Sequence, residues 1–180
     1  GTDVSGTADI NGVASNLNQS GVVLTTGSDG NVIGGTSAGA RNVISGNNHF
    51  GVEFQFGSQN NRLEGNFIGT TVTGMAALGN VSGGVSYRNA GSGNVTGGGM
   101  AGAGNVISSN GIGVQVSSAS SGAVIQGNTI GLAVDGDTVL ANSQNGIDVL
   151  GASINTLIGT DSNGVNDAGE RNVISANYHG

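Results

Sequence analysis

A six-residue word that occurs three times constrains the fold of this chain more than any other feature. The word is NVISGN at residues 42–47, and it returns as NVISSN at 105–110 and NVISAN at 172–177. Short strand-like words at a long, nearly constant spacing are typical of solenoids, in which each repeat packs only against its neighbours. We therefore predict a solenoid, and we interpret the word as part of its framework, not as an active site.

Composition favours a folded solenoid over a disordered chain. The 180 residues include 37 glycines and no proline or cysteine, yet 36% of them are hydrophobic. Disordered segments are poor in aliphatic residues, whereas valine, isoleucine and leucine recur here at fixed places. We expect a long, thin core of stacked aliphatic side chains.

The charge of the chain and the length of its apolar runs argue against two classes of partner. The formal net charge is −7, and its four basic residues are all arginines, dispersed between Arg41 and Arg171. Binding to nucleic acid needs a cluster of basic side chains, so we predict no nucleic-acid partner. No apolar run approaches the ~20 residues of a membrane span, so we predict no membrane insertion.

Three short strand signals recur in each stretch of the chain. In the stretch 61–93 they lie at 61–65, 66–69 and 84–87, and further coils start near residues 31, 94, 123 and 155. This pattern predicts an all-β parallel β-helix of about six coils, with three strands per coil and with partial coils first and last. Because the chain starts and stops inside repeats, we expect residues 1–180 to be a single segment of a longer repeat array.

Stacking the coils places aliphatic residues in inward columns, because side chains alternate between the two faces of a strand. The predicted columns are Val22, Val52, Val85, Val114 and Ile147 for the third strands, Ile44, Ile68, Ile107, Ile130 and Ile174 for the second, and Ile33, Leu63, Thr96, Ile125 and Leu157 for the first. The outward column of the third strands is Val23, Glu53, Ser86, Gln115 and Asp148.

Asparagines also fall into columns, at the bends between strands. An amide has both a donor and an acceptor, so stacked asparagines can bond to one another and to the backbone of the bend. We predict a structural ladder of Asn42, Asn66, Asn105, Asn128 and Asn172, and a second one of Asn31, Asn61, Asn94 and Asn155 that is broken at Ala123.

The pattern Asn-x-Ile-x-Gly-Asn-x-Ile, followed by Gly-Val/Ile-x-hydrophobic, resembles a known family. It is similar to the right-handed parallel β-helix repeats of the pectate-lyase-like superfamily, especially the Asn- and Gly-rich repeats of large secreted and cell-surface bacterial proteins. The resemblance implies a right-handed single-stranded β-helix and an extracellular or cell-surface location. For function it implies a wide range, from lyases, hydrolases and phage tailspikes to adhesins and passive stalks.

A catalytic site is not evident in the sequence. The resemblance implies, for a polysaccharide lyase, an acidic Ca²⁺ cluster and a basic residue on one outward face, but Glu53 and Asp148 are three coils apart, or about 14 Å. That separation exceeds the roughly 5–9.5 Å between the paired carboxyl groups of glycosidases. We interpret His49 and His179 as polar bend residues. We therefore assign no catalytic and no cofactor-binding residues.

One loop is a candidate calcium site. It contains Asp161, Asn163, Asp167 and Glu170, whose oxygen ligands are loosely spaced as in a Ca²⁺-binding loop. The alternative is that these residues are ordinary turn formers, because aspartate and asparagine favour turns.

Four apolar residues occupy outward positions on the second strands, where alternation places them toward solvent. They are Val43, Phe67, Val106 and Val173. Either the inserted loops, such as residues 70–80, fold over them, or they form a contact stripe for a neighbouring rod or partner.

These features favour a non-enzymatic structural or adhesive segment of a secreted or surface protein. Such a rod could associate with copies of itself, end to end or laterally, through its strand edges or the contact stripe. The alternative is a polysaccharide-binding or polysaccharide-degrading β-helix, which would need a groove with clustered acids or stacked aromatic rings.

Overall fold

The computed structural model describes residues 1–8 and 19–178. Within them the chain winds through fifteen short strands, and each of the first twelve pairs in parallel with the strand three places later in the chain. The result is a parallel β-solenoid with three strands per coil and three five-stranded sheets, as predicted. The helical content of the described residues is a single 3₁₀ turn at Ala38–Ala40.

The three sheets are named here after the position of their strands in the coil. Sheet one consists of β2 (Val32–Gly34), β5 (Arg62–Glu64), β8 (Val95–Gly97), β11 (Val124–Gln126) and β14 (Leu157–Ile158). Sheet two consists of β3 (Val43–Ile44), β6 (Phe67–Ile68), β9 (Val106–Ile107), β12 (Thr129–Ile130) and β15 (Val173–Ile174). Sheet three consists of β1 (Val22–Leu24), β4 (Phe50–Gln55), β7 (Gly83–Arg88), β10 (Ile112–Ser117) and β13 (Ile147–Val149).

The number of coils is about five, not the six expected. Each sheet has five strands, because the partial coil at the start of the chain contributes β1 alone among the described residues. Residues 9–18 of that coil lie outside the described residues.

The inward columns of sheets two and three are confirmed by the strand register. Val52 pairs with Val85, and Ile68 with Ile107, and all four side chains are fully buried. In sheet one the last position was predicted wrongly, because Ile158, not Leu157, pairs with Ile125.

The error in sheet one arises from the preceding bend. Every bend from sheet three to sheet one has the same length, and this length places Thr156, not Asn155, opposite Ala123. In agreement with this register, the Leu157 N–H donates to the Ala123 carbonyl. Matching Asn155 to the asparagines of earlier coils shifted the predicted register by one residue. The bend length is therefore a better guide to register here than residue identity.

A polar pair lies inside the apolar core. Tyr87 is fully buried, its hydroxyl lies 2.7 Å from Oγ1 of Thr96, and its ring stacks on Phe54 with centroids 4.8 Å apart. Burial raises the pKa of Tyr87 well above its usual value, so the hydroxyl stays protonated. This bond explains why threonine occupies a core column that is otherwise leucine and isoleucine.

Inserted loops alternate between two sides of the solenoid. The first loop stack comes from alternate coils and consists of residues 2–8, 70–77 and 132–139. Each loop contacts the loop two coils away, since the Val72 N–H donates to the Gly6 carbonyl and the Val134 N–H donates to the Gly74 carbonyl. The second loop stack, residues 35–41, 98–104 and 159–171, comes from the intervening coils. The repeating unit is therefore two coils, which accounts for the long spacing of the NVISGN word.

Candidate functional site

Asparagines at the bend between sheets one and two bond to one another through every coil. The backbone N–H and Nδ2 of Asn66 both donate to Oδ1 of Asn105, at 2.9 and 3.1 Å, while Oδ1 of Asn66 accepts the same two bonds from Asn42. Nδ2 of Asn66 also donates to the carbonyls of Ile33 and Glu64. The same pattern links the whole set Asn42, Asn66, Asn105, Asn128 and Asn172.

The second ladder is shorter than expected. Asn31 donates to Asn61, and Asn61 to Asn94, through the same paired bonds to Oδ1. It ends there, because Ala123 has no amide and Thr156 takes the corner position expected for Asn155. The Thr156 hydroxyl is buried and has no hydrogen-bond partner within the part of the chain that the structure describes.

A third ladder, at the bend between sheets two and three, was not predicted. It consists of Asn47, Asn80, Asn110, Asn142 and Asn177, joined by the same paired bonds. Only three of these residues belong to the repeated word. A usable signal was present, because each of the first four lies a few residues before a glycine at or next to the start of a strand of sheet three. A Cβ on the glycine at position 51 would lie 2.9 Å from Nδ2 of Asn80, so the ladder requires glycine there.

The row Val43, Phe67, Val106 and Val173 is mostly covered. Phe67 is 3% and Val106 6% exposed, Val43 is half-buried, and Val173 in the last coil is 50% exposed. The first loop stack lies over this row, so closely that a Cβ on Gly74 would be 2.7 Å from Cζ of Phe67. In the central coils the loop-covered arrangement is therefore the one observed.

Arg41 anchors the second loop stack to the same row. Its Nε donates to the carbonyl of Gly65 at 3.0 Å, and its guanidinium lies 4.1 Å from the centre of the Phe67 ring. A cation over an aromatic face is attracted by the ring quadrupole. Phe67 is thus held between loops from both stacks.

Three of the four candidate calcium ligands lie together. Asp161, Asp167 and Glu170 each offer a carboxylate oxygen, and these oxygens lie within 4.8 Å of one another. Glu170 is buried, and its Oε2 accepts the backbone N–H of Asp161 at 3.1 Å. The amide of Asn163 is engaged in the turn itself, since its Nδ2 donates to Asp161 and its Oδ1 accepts the N–H of Val165. Such carboxylates match the oxygen ligands that Ca²⁺ prefers.

A polar cluster on the outer face of sheet three was not predicted. Glu53, expected in solvent, is 3% exposed, and its carboxylate accepts bonds from Ser20 and Gln55. Nδ1 of His49, to which no acidic partner was assigned, lies 2.9 Å from Oε1 of Glu53. His179 lies outside the described residues.

The electrostatics of this cluster favour an ionised carboxylate. Burial acts to raise the pKa of Glu53, but hydrogen bonds from Ser20, His49 and Gln55, together with the His49 charge, lower it below its usual value. Ser20 and Glu53 both contact the same ring nitrogen of His49, at 3.2 and 2.9 Å. A catalytic triad needs the serine and the acid on opposite nitrogens, so this cluster does not activate Ser20.

Comparisons with known proteins leave the solenoid without an assigned family. No family model, curated protein or solved structure gives a significant match to the chain. The likeness to the pectate-lyase-like superfamily therefore rests on the repeat pattern. Among the described residues, no helix is long and apolar enough to cross a membrane.

Proposed function

We propose that the chain is a non-enzymatic structural or adhesive segment of a secreted or cell-surface protein. The observation that carries the proposal is the set of asparagine ladders, which commit the polar side chains at the bends to the scaffold. A buried polar network in which every group is hydrogen-bonded makes a structure rigid and specifies a single arrangement of its core. Membership of the right-handed β-helices of the pectate-lyase-like superfamily, and an extracellular location, belong to the same proposal and are supported by the repeat pattern.

The polar groups on the outer faces also support a passive role. Glu53 is held by three neighbours, and Asp148 lies three strands away from it in sheet three, bonded to Asn145. Phe67 and Val106 are covered by loops. Association with a second copy, end to end or laterally, is part of the proposal, and sedimentation of the purified chain over a range of concentrations tests it.

Incubation with a panel of acidic and neutral polysaccharides tests the non-enzymatic role. We expect no release of reducing ends or unsaturated sugars, and no binding on a glycan array. Cleavage by the parent chain that is lost in Glu53→Gln would contradict the proposal. A matched Asp148→Asn variant removes one negative charge from the same sheet. It therefore separates the effect of losing the Glu53 carboxylate from the effect of losing a negative charge.

One observation favours carbohydrate binding as a second candidate function. Phe56 has a left-handed backbone, with φ of 47°, at a position taken by Asn89, Ser118 and Gly151 in later coils. The residue is 46% exposed, and the guanidinium of Arg88 lies 5.6 Å from the centre of its ring. Such strain costs about 1–2 kcal/mol and is often retained at functional sites. The ring offers an apolar face to a sugar, and Arg88 offers donors to its hydroxyls.

The variant Phe56→Asn distinguishes the two functions. Asparagine tolerates the left-handed backbone, so this variant should be at least as stable as the parent. If the ring binds a sugar, the variant loses glycan-array binding that the parent shows. Equal array signals from parent and variant would remove Phe56 from the binding hypothesis.

A further inference from the structure

Asn163 lies in an exposed loop, outside the three ladders. Its Nδ2 donates to Oδ2 of Asp161 at 2.9 Å, and its Oδ1 accepts the backbone N–H of Val165 at 2.7 Å. Gly164 follows it, also exposed, with φ of 83°. A glycine after asparagine leaves its backbone nitrogen unobstructed by a Cβ, so that nitrogen can reach the asparagine side chain.

The groups around Asn163 suit an attack by this nitrogen. The N–H of Gly164 donates to Oδ1 of Asp167 at 3.1 Å, which places a carboxylate where it can accept the proton. The Val165 N–H points at Oδ1 of Asn163, where negative charge develops when Cγ is attacked, and a fixed donor at that atom stabilises the charge.

We propose that Asn163 is a site of self-catalysed deamidation, with Asp167 as the base. The Gly164 nitrogen forms a bond to Cγ of Asn163 while its proton passes to Asp167. The Cγ–Nδ2 bond then breaks, and ammonia leaves with that proton, closing a succinimide ring. Water opens the ring at either carbonyl, giving aspartate or isoaspartate at position 163. The net reaction consumes one water and releases one ammonia, and it needs no oxidant or cofactor.

The Asn110–Gly111 pair is an internal control for this reaction. Asn110 is buried in the third ladder, and its Nδ2 donates to the Ile68 carbonyl and to Oδ1 of Asn142. The N–H of Gly111 donates to the backbone carbonyl of Asn80 at 3.0 Å, not to a carboxylate. Both the nucleophile and the leaving group are therefore held in the scaffold.

The Asn145–Gly146 pair is a second control. The carbonyls of these two residues accept backbone bonds from Gly113 and Val114 in the neighbouring coil. These bonds fix the dipeptide against β10, so its nitrogen cannot turn toward the side chain without breaking them. Among the described residues, no backbone N–H donates to the carbonyl of Asn163 or of Gly164, so this dipeptide is not fixed against a neighbouring coil.

Deamidation would change the chemistry of the loop. The carboxylates of Asp161, Asp167 and Glu170 already lie within 4.8 Å of one another, and within the described residues none of the three forms an ion pair. A carboxylate at position 163 adds negative charge beside them. The reaction therefore increases the acidity of this side of the solenoid over time.

Peptide mapping by mass spectrometry after incubation of the folded chain at neutral pH tests the proposal. We expect the mass change of amide to acid, with isoaspartate, at position 163 before positions 110 and 145. Asp167→Ser keeps an acceptor for the Gly164 N–H but removes the base, and should slow the reaction by about tenfold or more. The matched control Asp137→Ser removes the same charge from an exposed loop of the first stack, away from Asn163, and should not slow it.

The proposal is overturned if position 163 reacts no faster than positions 110 and 145, or if Asp167→Ser and Asp137→Ser have the same effect. The measurement is repeated in denaturant, where the loop geometry is lost. There the parent and Asp167→Ser should react at the same rate, and a persisting difference would also contradict a role for the folded loop.

Discussion

Among the described residues, most buried polar side chains have a hydrogen-bond partner, and the pair Tyr87–Thr96 shows why. A phenol inside an apolar core needs a hydrogen-bond partner, and an unpaired buried hydroxyl costs about 1–3 kcal/mol. The two residues are neighbours in space on different sheets, and their hydroxyls lie 2.7 Å apart. The threonine was visible in the sequence as an exception in its column, but its partner was not.

Removing both members of this pair should cost less than the sum of removing each one alone. We expect Thr96→Val and Tyr87→Phe each to destabilise the fold by about 1–3 kcal/mol, because each leaves the other hydroxyl unpaired. The double variant should be less destabilised than the sum of the two. Urea unfolding of the four proteins measures this coupling, and additive effects would show that the hydroxyls do not depend on each other.

The cluster around Glu53 predicts a dependence of stability on pH. Burial acts to raise its pKa, but hydrogen bonds from Ser20, His49 and Gln55 outweigh burial and hold the pKa of Glu53 in the folded chain below its ordinary value of 4.5. A lowered pKa contributes stability that is present above the unfolded-state value and is lost as pH falls through the folded-state value. We therefore expect the stability difference between the parent and Glu53→Gln to shrink as pH falls below 4.5. A difference that stays constant in acid would contradict this linkage.

At the scale of elements, the strands were more predictable than the loops. Columns such as Val52–Val85 follow from alternation, because residues of one face must meet in successive coils. The contacts between loops two coils apart, such as Val72 with Gly6, leave no periodic pattern in hydrophobicity. Whether Phe67 would be covered therefore depended on loop conformation, which the sequence pattern does not specify.

Two glycines at equivalent places in the first loop stack test the covering of Phe67. Gly74 and Gly136 have φ of 69° and 75°, so alanine is strained at both. A Cβ on Gly74 would also meet the Phe67 ring at 2.7 Å, whereas one on Gly136 meets nothing within 4 Å. We expect Gly74→Ala to lower the melting temperature more than Gly136→Ala. Equal shifts would mean that the loop does not pack tightly on Phe67.

The calcium hypothesis for the loop 159–171 stays a prediction. If Ca²⁺ binds Asp161, Asp167 and Glu170, it should stabilise the fold by about 2.7 kcal/mol at a hundred times its dissociation constant. Calorimetry and thermal melts with added Ca²⁺ measure this. Asp137→Asn, outside the loop, is the control for Asp167→Asn. Absence of both heat and thermal shift in the parent would dismiss the site.

The whole molecule is a stack of alternating coils whose corners are built from asparagine. The parallel three-sheet solenoid could be predicted from the repeat, since the NVISGN word contains two corner asparagines and a core isoleucine. The third ladder was missed because two of its members, Asn80 and Asn142, lie outside the repeated word. The His49–Glu53 pair could not be predicted, because no repeat marks these two residues as partners. The polar groups that look available in the sequence are largely used in holding the coils together.

Hydrogen exchange of the asparagine side-chain amides tests this central claim most directly. Asn94, Asn105 and Asn110 are buried and bonded at Nδ2, so their side-chain protons should exchange only when the whole fold opens. Their protection, measured by NMR, should then match the free energy of global unfolding, while exposed Asn163 exchanges fast. Exchange of the three buried amides at the rate of Asn163 would contradict the claim that the ladders hold the rod together.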